Sequence, residues 1–525
     1  MATEENITYT HEDAKRFKLT AEMLAYENEL MREEIRLLRA KRFGASSERS
    51  ALSGQGILFN EAELFFDQSL QEPLCPDVLA PATRGRRPKG KRELDLSGLA
   101  VRRIDYVLSD DELSCPQCAS KMHEISVDIR REVEYIPAKY TVVEHAAHVY
   151  ACRRCQKDSE HTPILKAPTP RPVFSGSLAS ASLLAQVICD KYLYHLPLYR
   201  QEAAFLHDGL ALSRKTLANW VVKASEEWLF GVYDKMRQEL VACDVIMADE
   251  TTLEVLEEPG RSPGKKSYMW LYRTSEHTKH PIVCFEYRQS RSHEHPKAFL
   301  KDFSGYCHAD GYSGYHKLPG NICIVGCWAH ARRKFDEALK ATPASKRPGS
   351  LAEEGLAYIN RLFDLERQFA DKGPMDRHKA RSEKSVPVAE ELYGWAKDAN
   401  ALPNSLAGRA IHYLVEQRPY LMRVFEDGRL ELSNNRSERS IKSFVIGRKN
   451  WLFSNTPRGA DASAVVFSII ETAKENRLSV YEYLKYLFEQ LPNARSSDIE
   501  NLMPWSESLP MHVKVLPTKK LAPPL

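Results

Sequence analysis

Between Asp244 and Phe335, five short apolar runs follow one another in an order that few folds can accommodate. The first, Val245 to Ala248, runs directly into Asp249. Two more, Ser267 to Tyr272 and His280 to Tyr287, come after Pro- and Gly-containing turns, notably 259–266, at the spacing of hairpins. A helix-length stretch from about His295 to Phe303 separates off the fourth run, Tyr306 to Ala309, which ends on Asp310-Gly311-Tyr312. The fifth, Ile322 to Gly326, leads into a basic helix that begins at Trp328. Strands joined as hairpins pair antiparallel, whereas a strand reached through a helix pairs parallel with its neighbour.

Three antiparallel strands, a helix, a parallel strand and then alternating helices and strands is the order of a ribonuclease H-like α/β fold. In that fold one carboxylate sits on the first strand and a second follows the fourth. Asp249 and Asp310 occupy those places, at strand ends, where the reaction sites of open α/β sheets gather. Phosphodiester cleavage needs an activated water or sugar hydroxyl and stabilised charge on the attacking and leaving oxygens. Two magnesium ions about 3.5–4 Å apart supply both, and hard oxygen ligands hold them.

A third carboxylate is expected from a helix later in the chain, and Glu438, in Asn434-Asn435-Arg436-Ser437-Glu438-Arg439, fits. Taken singly, an Asp that ends a strand is more often a turn former or a cap. The weight comes from Arg436, Arg439, Lys442, Arg448 and Lys449, which crowd one acidic residue as in a site that must also hold a DNA backbone. Glu250 is a rival to Asp249. Adjacent strand residues face opposite sides, so only one of the two points into the site, and Asp249 is preferred.

A chain of 525 residues is too long for one core. Residues 12–43 repeat apolar side chains in heptads, with Phe17, Leu24, Met31 and Leu38 at one seam position and Ala21, Asn28 and Ile35 at the other. This is a short coiled coil, the single Asn being a known register device; the other reading is an amphipathic helix packed on its own chain. Residues 44–100 form a linker that ends in a basic arm, with Arg84, Arg86, Arg87 and Lys89, suited to DNA phosphates or a minor groove. In 101–165, the pairs Cys115–Cys118 and Cys152–Cys155 have the spacing of a structural zinc site built from four thiolates, with strand-like sequence between them. Residues 174–240 read as helical. Ser213 is a candidate cap for the second helix of a helix-turn-helix-like domain, with Arg214, Lys215 and Asn219 outward and Leu217, Trp220 and Val221 inward.

The catalytic core is expected over 241–345 and 431–480, interrupted by a helical insertion at 346–430 and followed by a C-terminal segment, 481–525. Composition excludes a membrane protein, because no apolar run approaches the ~18 residues a span needs. The N-terminus lacks a secretory signal, which predicts a cytoplasmic, nucleoid-associated protein whose 11 cysteines are not disulfide partners. A net charge of +3 says little about nucleic acid by itself; the clustering of the basic residues does.

The chain resembles, over almost its whole length, the large transposase of the insertion sequence 66 family of bacterial mobile elements. The residues that carry the resemblance come in order. Ala-Lys-Arg-Phe-Gly-Ala-Ser-Ser-Glu near Phe43 and the paired CxxC are followed by Tyr194 to Gln201, then by Met-Ala-Asp-Glu-Thr-Thr, Ala-Asp-Gly-Tyr-Ser-Gly-Tyr and Cys-Trp-Ala-His-Ala-Arg-Arg-Lys-Phe. Asn-Asn-Arg-Ser-Glu-Arg, Arg-Lys-Asn-Trp-Leu-Phe and Leu-Met-Pro-Trp near Trp505 complete the set.

The resemblance implies an Asp-Asp-Glu transposase that binds the ends of its element, nicks DNA by metal-dependent hydrolysis and joins the 3′ hydroxyl to target DNA by transesterification. Asp249, Asp310 and Glu438 would hold Mg²⁺, with Mn²⁺ as a substitute. Arg332, Arg333, Arg448 and Lys449 would position phosphates, and His330 would lie close by unless it is a packed helix histidine. Expected partners are element-end and target DNA, a second copy of the chain or more, and accessory proteins of the same element. Some related transposases place a Lys seven residues after the Glu; Val445 stands there, so Lys442, Arg448 or Lys449 is left to supply that charge. The rival reading is a non-catalytic zinc and helix-turn-helix regulator derived from a transposase.

Overall fold

The computed structural model describes residues 11–43, 140–151, 164–262 and 264–515. The basic arm and Cys115, Cys118, Cys152 and Cys155 lie outside the described residues. The chain divides into two units, residues 47–169 and the remainder.

The larger unit opens with α1 (His11–Phe43). The C-terminal end of α1 rests on its own chain: Leu37 is buried, Arg36 Nε donates to Ala341 O at 2.7 Å, and Glu33 accepts from Leu406 N–H at 3.1 Å. Along the seam, Leu24, Met31 and Leu38 are more than half exposed, and Asn28 bonds back to Leu24 O in its own helix. The C-terminal end of the helix thus packs on its own chain, and the seam before it is left exposed. In the smaller unit, β1 (Val149–Ala151) pairs antiparallel with β2 (Ile164–Lys166).

Four helices lead into the sheet: α2 (Ala181–Ile188), α3 (Leu198–His207), α4 (Arg214–Ala224) and α5 (Phe230–Val241). Gly209, at φ +86°, makes the turn after α3. Ser213 then caps α4 by accepting from Thr216 N–H at 3.1 Å. Leu217, Trp220, Val221 and Ala224 recur at i, i+3, i+4 and i+7 and are buried, which leaves Arg214, Lys215 and Asn219 on the outer side.

The sheet comprises β3 (Val245–Glu254), β4 (Lys266–Thr274), β5 (Val283–Arg288), β6 (Gly305–Ala309) and β7 (Ile322–Gly326), in the order β5-β4-β3-β6-β7. The pairs among β3, β4 and β5 are antiparallel, and β3–β6 and β6–β7 are parallel. This arrangement is compatible with a ribonuclease H-like core. The helix between β5 and β6, α6 (Glu294–Phe299), is shorter than the sequence suggested, and β5 starts after Pro281, which has no N–H to give a ladder.

Gly305 sets β6 against β3. Its φ is +146°, and a Cβ there would stand 2.2 Å from Asp244 O, so only glycine allows the next residue, Tyr306, to donate its N–H to that carbonyl at 2.8 Å.

Alternate residues of the central strands enter different cores. Ile246, Ala248 and Ile324 join the core built with α2 to α5, whereas Val245 and Val325 join the one built with α7 (Trp328–Ala341) and the helices that follow. Those are α8 (Leu351–Gln368), α9 (Pro374–Ala380), α10 (Val386–Asp398) and α11 (Leu406–Glu416). The chain then returns through α12 (Asn435–Trp451), α13 (Pro457–Glu475) and α14 (Val480–Gln490). Helix α13 closes the open edge of the sheet: Ser468 and Thr472 accept from Phe285 N–H at 2.7 Å and Val283 N–H at 3.0 Å, donors that an edge strand would otherwise expose.

His308, wholly buried on β6, accepts from Glu431 N–H at 3.3 Å, and burial, with the charge of Arg381 adding, pushes its pKa down to about 3. The folded chain refuses a proton that the unfolded chain takes up below about pH 6.5. The stabilisation is complete above that pH and is lost as pH falls toward 3. Lowering the pH to about 5 should cost about 2 kcal/mol at this site, visible as an earlier urea midpoint. His308→Gln should flatten that pH dependence, and an undiminished slope in the variant would place the acid lability elsewhere.

Candidate active site

The parallel register pairs Met247 with His308. Asp249 stands two residues further along β3 and Asp310 one residue past the end of β6, so the parallel register carries both toward the same end of neighbouring strands. The long strand β3 then turns its alternate residues to different faces. Thr251, on the face of Asp249, accepts from Arg448 of α12 at 3.2 Å. Glu250 points the other way, toward Tyr315, whose hydroxyl donates to it at 2.6 Å, and toward Arg291, which donates through Nε at 2.7 Å.

Asp249 has one hydrogen bond among the described residues, from Glu250 N–H at 2.8 Å, and no ion pair. Burial raises its pKa well above the usual carboxylate range, the charge of Glu250 adds, and those of Asp310 and Glu438 push the same way. Both other sequence-identified acids thus act on Asp249. Burial also raises Glu250, with Asp310 adding, but Tyr315 and Arg291 oppose the rise. Asp310 accepts from Tyr312 N–H at 2.9 Å and lies 3.9 Å from Arg291, whose guanidinium stacks on the Tyr312 ring at 3.9 Å.

Glu438 arrives on the first turn of α12. Buried Asn434 sets that turn: its side chain donates to Ala248 O at 3.0 Å, one residue before Asp249, and it accepts from Ser437. The glutamate is held by Arg333 of α7, at 3.2 Å to both oxygens, with His330 Nε2 at 3.6 Å. Burial lowers the His330 pKa, the neighbouring Arg333 adds, and Glu438 and Asp310 pull the other way. His330 therefore sits beside the third acid and feels the charge of the second. Gly311 leaves room for Tyr413 of the insertion, whose ring carbon would lie 2.7 Å from a Cβ there.

The oxygen-only donor set and an Asp249 without a counter-charge suit a hard divalent cation. Among the described residues no three potential ligands are already gathered around a single point. Chelation by all three acids thus requires Glu438 to leave Arg333.

The basic residues divide. Arg439, Lys442 and Lys449 have no acidic partner among the described residues, and Lys442 and Lys449 are exposed on the Glu438 face of α12. Arg448 is fixed to Thr251 and Thr252. Arg332 turns to Asn360 of the insertion at 2.8 Å. Arg436 projects from the opposite side of α12 into Glu276, Glu431 and Glu475, so it does not join the acids as its place beside Glu438 suggested. Sequence reasoning missed Arg291 and Tyr413 altogether and gave Asn434, named only as part of the Glu438 motif, no role. Tyr312 and Tyr315 belong to the Ala-Asp-Gly-Tyr-Ser-Gly-Tyr stretch, but nothing local announced the Glu250 contact.

Comparison with known proteins gives three family matches. The Transposase IS66 family matches residues 176–462, the zinc-finger binding domain of transposase IS66 matches 112–156, which includes all four candidate zinc cysteines, and the IS66 C-terminal element matches 468–505. Similar curated proteins include three uncharacterised proteins of Sinorhizobium fredii. Protein y4jD is 28% identical over 447 residues, covering 82% of this chain and 85% of its own length. Protein y4hP is 27% identical over 497 residues, covering 90% and 87%, and y4qI is 28% identical over 491 residues, covering 90% and 88%. Among solved structures, the Drosophila P element transposase strand transfer complex aligns at a TM-score of 0.34 and 13% identity over 61% of this chain and 93% of that one. A family match over more than half of the sequence, flanked in order by the same family's zinc-finger and C-terminal elements, makes the chain a member of the IS66 family of transposases.

Proposed function

We propose that this transposase nicks DNA at the ends of its element by hydrolysis and joins the freed 3′ hydroxyl to target DNA by transesterification, with Asp249, Asp310 and Glu438 as the catalytic carboxylates. The observation that carries the reading is a buried Asp249 on β3 that has no cation of its own among the described residues and feels the charges of Asp310, just past β6, and Glu438, on α12. Bound Mg²⁺ or Mn²⁺ would supply activation of the attacking oxygen and charge stabilisation on the leaving one. Arg333 holds Glu438 until it is needed, and Arg291 and Tyr315 keep Glu250 out of the ligand set. Lys442 and Lys449 offer the phosphates a path beside Glu438, and Arg439 adds a further exposed cation on the same helix.

Around this centre, Arg214, Lys215 and Asn219 on the outer side of α4 are the candidate readers of the element ends. Arg84, Arg86, Arg87 and Lys89 would add phosphate contacts, and Cys115, Cys118, Cys152 and Cys155 would bind a structural zinc ion. No helix among the described residues is long and apolar enough to cross a membrane, and we place the protein in the cytoplasm, at the nucleoid. Joining two DNA ends calls for at least two copies, and the open seam of α1 supplies a contact. Leu24→Glu with Met31→Glu is expected to reduce a dimer to a monomer in light scattering; an unchanged mass would remove the seam from the assembly.

The direct test incubates the full chain with DNA from the flanks of its coding region and a divalent ion, with and without the element's companion proteins. Nicked and joined products that vanish with a chelator are expected. DNA retained but never cut, even with the companions present, would favour a regulator that only binds.

A further inference from the structure

Helix α12 ends in a backbone geometry that an ordinary helix end does not need. Leu452 has φ 68° and ψ −51°, and Phe453 N–H donates to Trp451 O at 2.9 Å. This is a three-residue γ-turn of the rare form with positive φ, strained for any residue with a Cβ. Such strain persists only where the surroundings over-determine it, and both flanks do so. On one side the Trp451 ring folds back over Gly447, where a Cβ would lie 2.1 Å from it, and packs near Tyr192 and Phe467. On the other, the chain is sewn to the far end of β3: Ser454 N–H donates to Glu254 O at 2.9 Å, Leu256 N–H to Ser454 O at 3.1 Å and Glu257 N–H to Asn455 O at 2.8 Å. The outcome is that Leu452 and Phe453 project outward, 66% and 43% exposed.

The path to this turn is cationic. Glu438, Lys442 and Lys449 share one face of α12 at i, i+4 and i+11, and both lysines are exposed without an acidic partner among the described residues. From Glu438 to Leu452 the helix rises about 21 Å. A polyanion laid along this stripe from the carboxylates reaches the apolar turn roughly six nucleotides away, at about 3.4 Å per step. A ligand with charged backbone and flat apolar units matches both features, and DNA is that ligand.

We infer that Leu452 and Phe453 form a rigid wedge that enters the DNA stack about six nucleotides from the cut and receives or levers out an unstacked base. Apolar side chains inserted at a base step unstack it locally and kink the duplex. Holding them in place before binding avoids ordering a loop at that moment. The inference rests on the DNA-cutting reading of the carboxylate site, and the two fail in different ways.

The test uses the full chain and two short fluorescent duplexes of one sequence, one fully paired and one with a 2-aminopurine in a mismatched pair. The unchanged protein should bind the mismatched duplex about tenfold more tightly, because a base already unpaired costs less to extract and stacks equally well, and 2-aminopurine emission should change on binding. Phe453→Ala and Leu452→Gly should each erase the preference and the emission change while leaving affinity for the paired duplex within about twofold. Leu452→Gly guards against misfolding, since glycine takes positive φ without strain and the variant should melt no lower than the parent. Retained preference in both variants, no preference in the unchanged protein, or loss of self-association in Phe453→Ala would overturn the wedge. Lys442→Ala with Lys449→Ala should weaken both duplexes alike and flatten the salt dependence. If that pair binds as the parent does, the DNA path along α12 fails and the wedge with it; if only the turn variants are silent, the DNA-cutting reading survives.

Discussion

Asp249→Asn is expected to lower strand cutting and joining by about a thousandfold or more while leaving DNA binding unchanged. A divalent ion contributes several kcal/mol to such a step, and each 1.4 kcal/mol is about a factor of ten in rate, so weakening its central ligand removes at least three powers of ten. Asn keeps the shape and the hydrogen bond from Glu250 N–H but lacks the charge that draws the ion in. Asp310→Asn should behave in the same way. Glu250→Gln should not, because Glu250 is already engaged by Arg291 and Tyr315 on the other face of β3; its loss would loosen that contact and lower the rate far less. Single-turnover strand joining with each variant at saturating DNA separates the cases. An inactive Glu250→Gln beside an active Asp249→Asn would show that the first ligand had been assigned to the wrong neighbour.

The largest loss of stability is expected from Glu366→Ala, through Arg381. The Arg381 side chain is wholly buried, and its five N–H groups meet five acceptors. Nε and Nη2 reach the two oxygens of Glu366 at 3.0 and 2.6 Å; the remaining donors take Val424 O at 3.0 Å, Asp427 O at 3.1 Å and Leu430 O at 2.8 Å. Removing the carboxylate leaves a buried cation without its partner, which costs about 3–5 kcal/mol. Arg381→Lys should be nearly as damaging, since an ammonium has three donors and cannot form the planar fork. The carbonyls that Arg381 holds belong to the stretch that leads into Asn434 and Glu438. Both variants should therefore lose strand joining as well as urea resistance. A variant that unfolds early yet joins DNA at the parental rate would show that the insertion does not position α12.

The two predictions differ in how far the sequence alone could support them. The places of Asp249 on β3 and of Asp310 just past β6 are legible because they follow apolar runs whose length and spacing fix a register, and a register is a local property of alternating residues. The positions of β3 to β7, the cap at Ser213 and the buried face of α4 are readable for the same reason: each follows from a period of two or of 3.6, or from one polar side chain beside its own backbone. Glu438 is a candidate on the strength of its charged surroundings, yet Arg436, two residues away, shows that crowding in sequence is not crowding in space, because the helix turns it toward Glu276, Glu431 and Glu475.

The partners of charged groups were decided by the tertiary structure alone. Arg333 with Glu438, Arg291 with Glu250 and Arg381 with Glu366 join residues from different elements, and in a chain with 74 Lys and Arg and 71 Asp and Glu no spacing rule singles out such pairs. The same holds for the strained turn at Leu452, whose conformation is set by a tryptophan packed on one side and a strand end on the other. Periodicity and capping are written in neighbouring residues and survive in the sequence; ion pairing and imposed strain depend on which surfaces meet once the sheet and its two cores have closed.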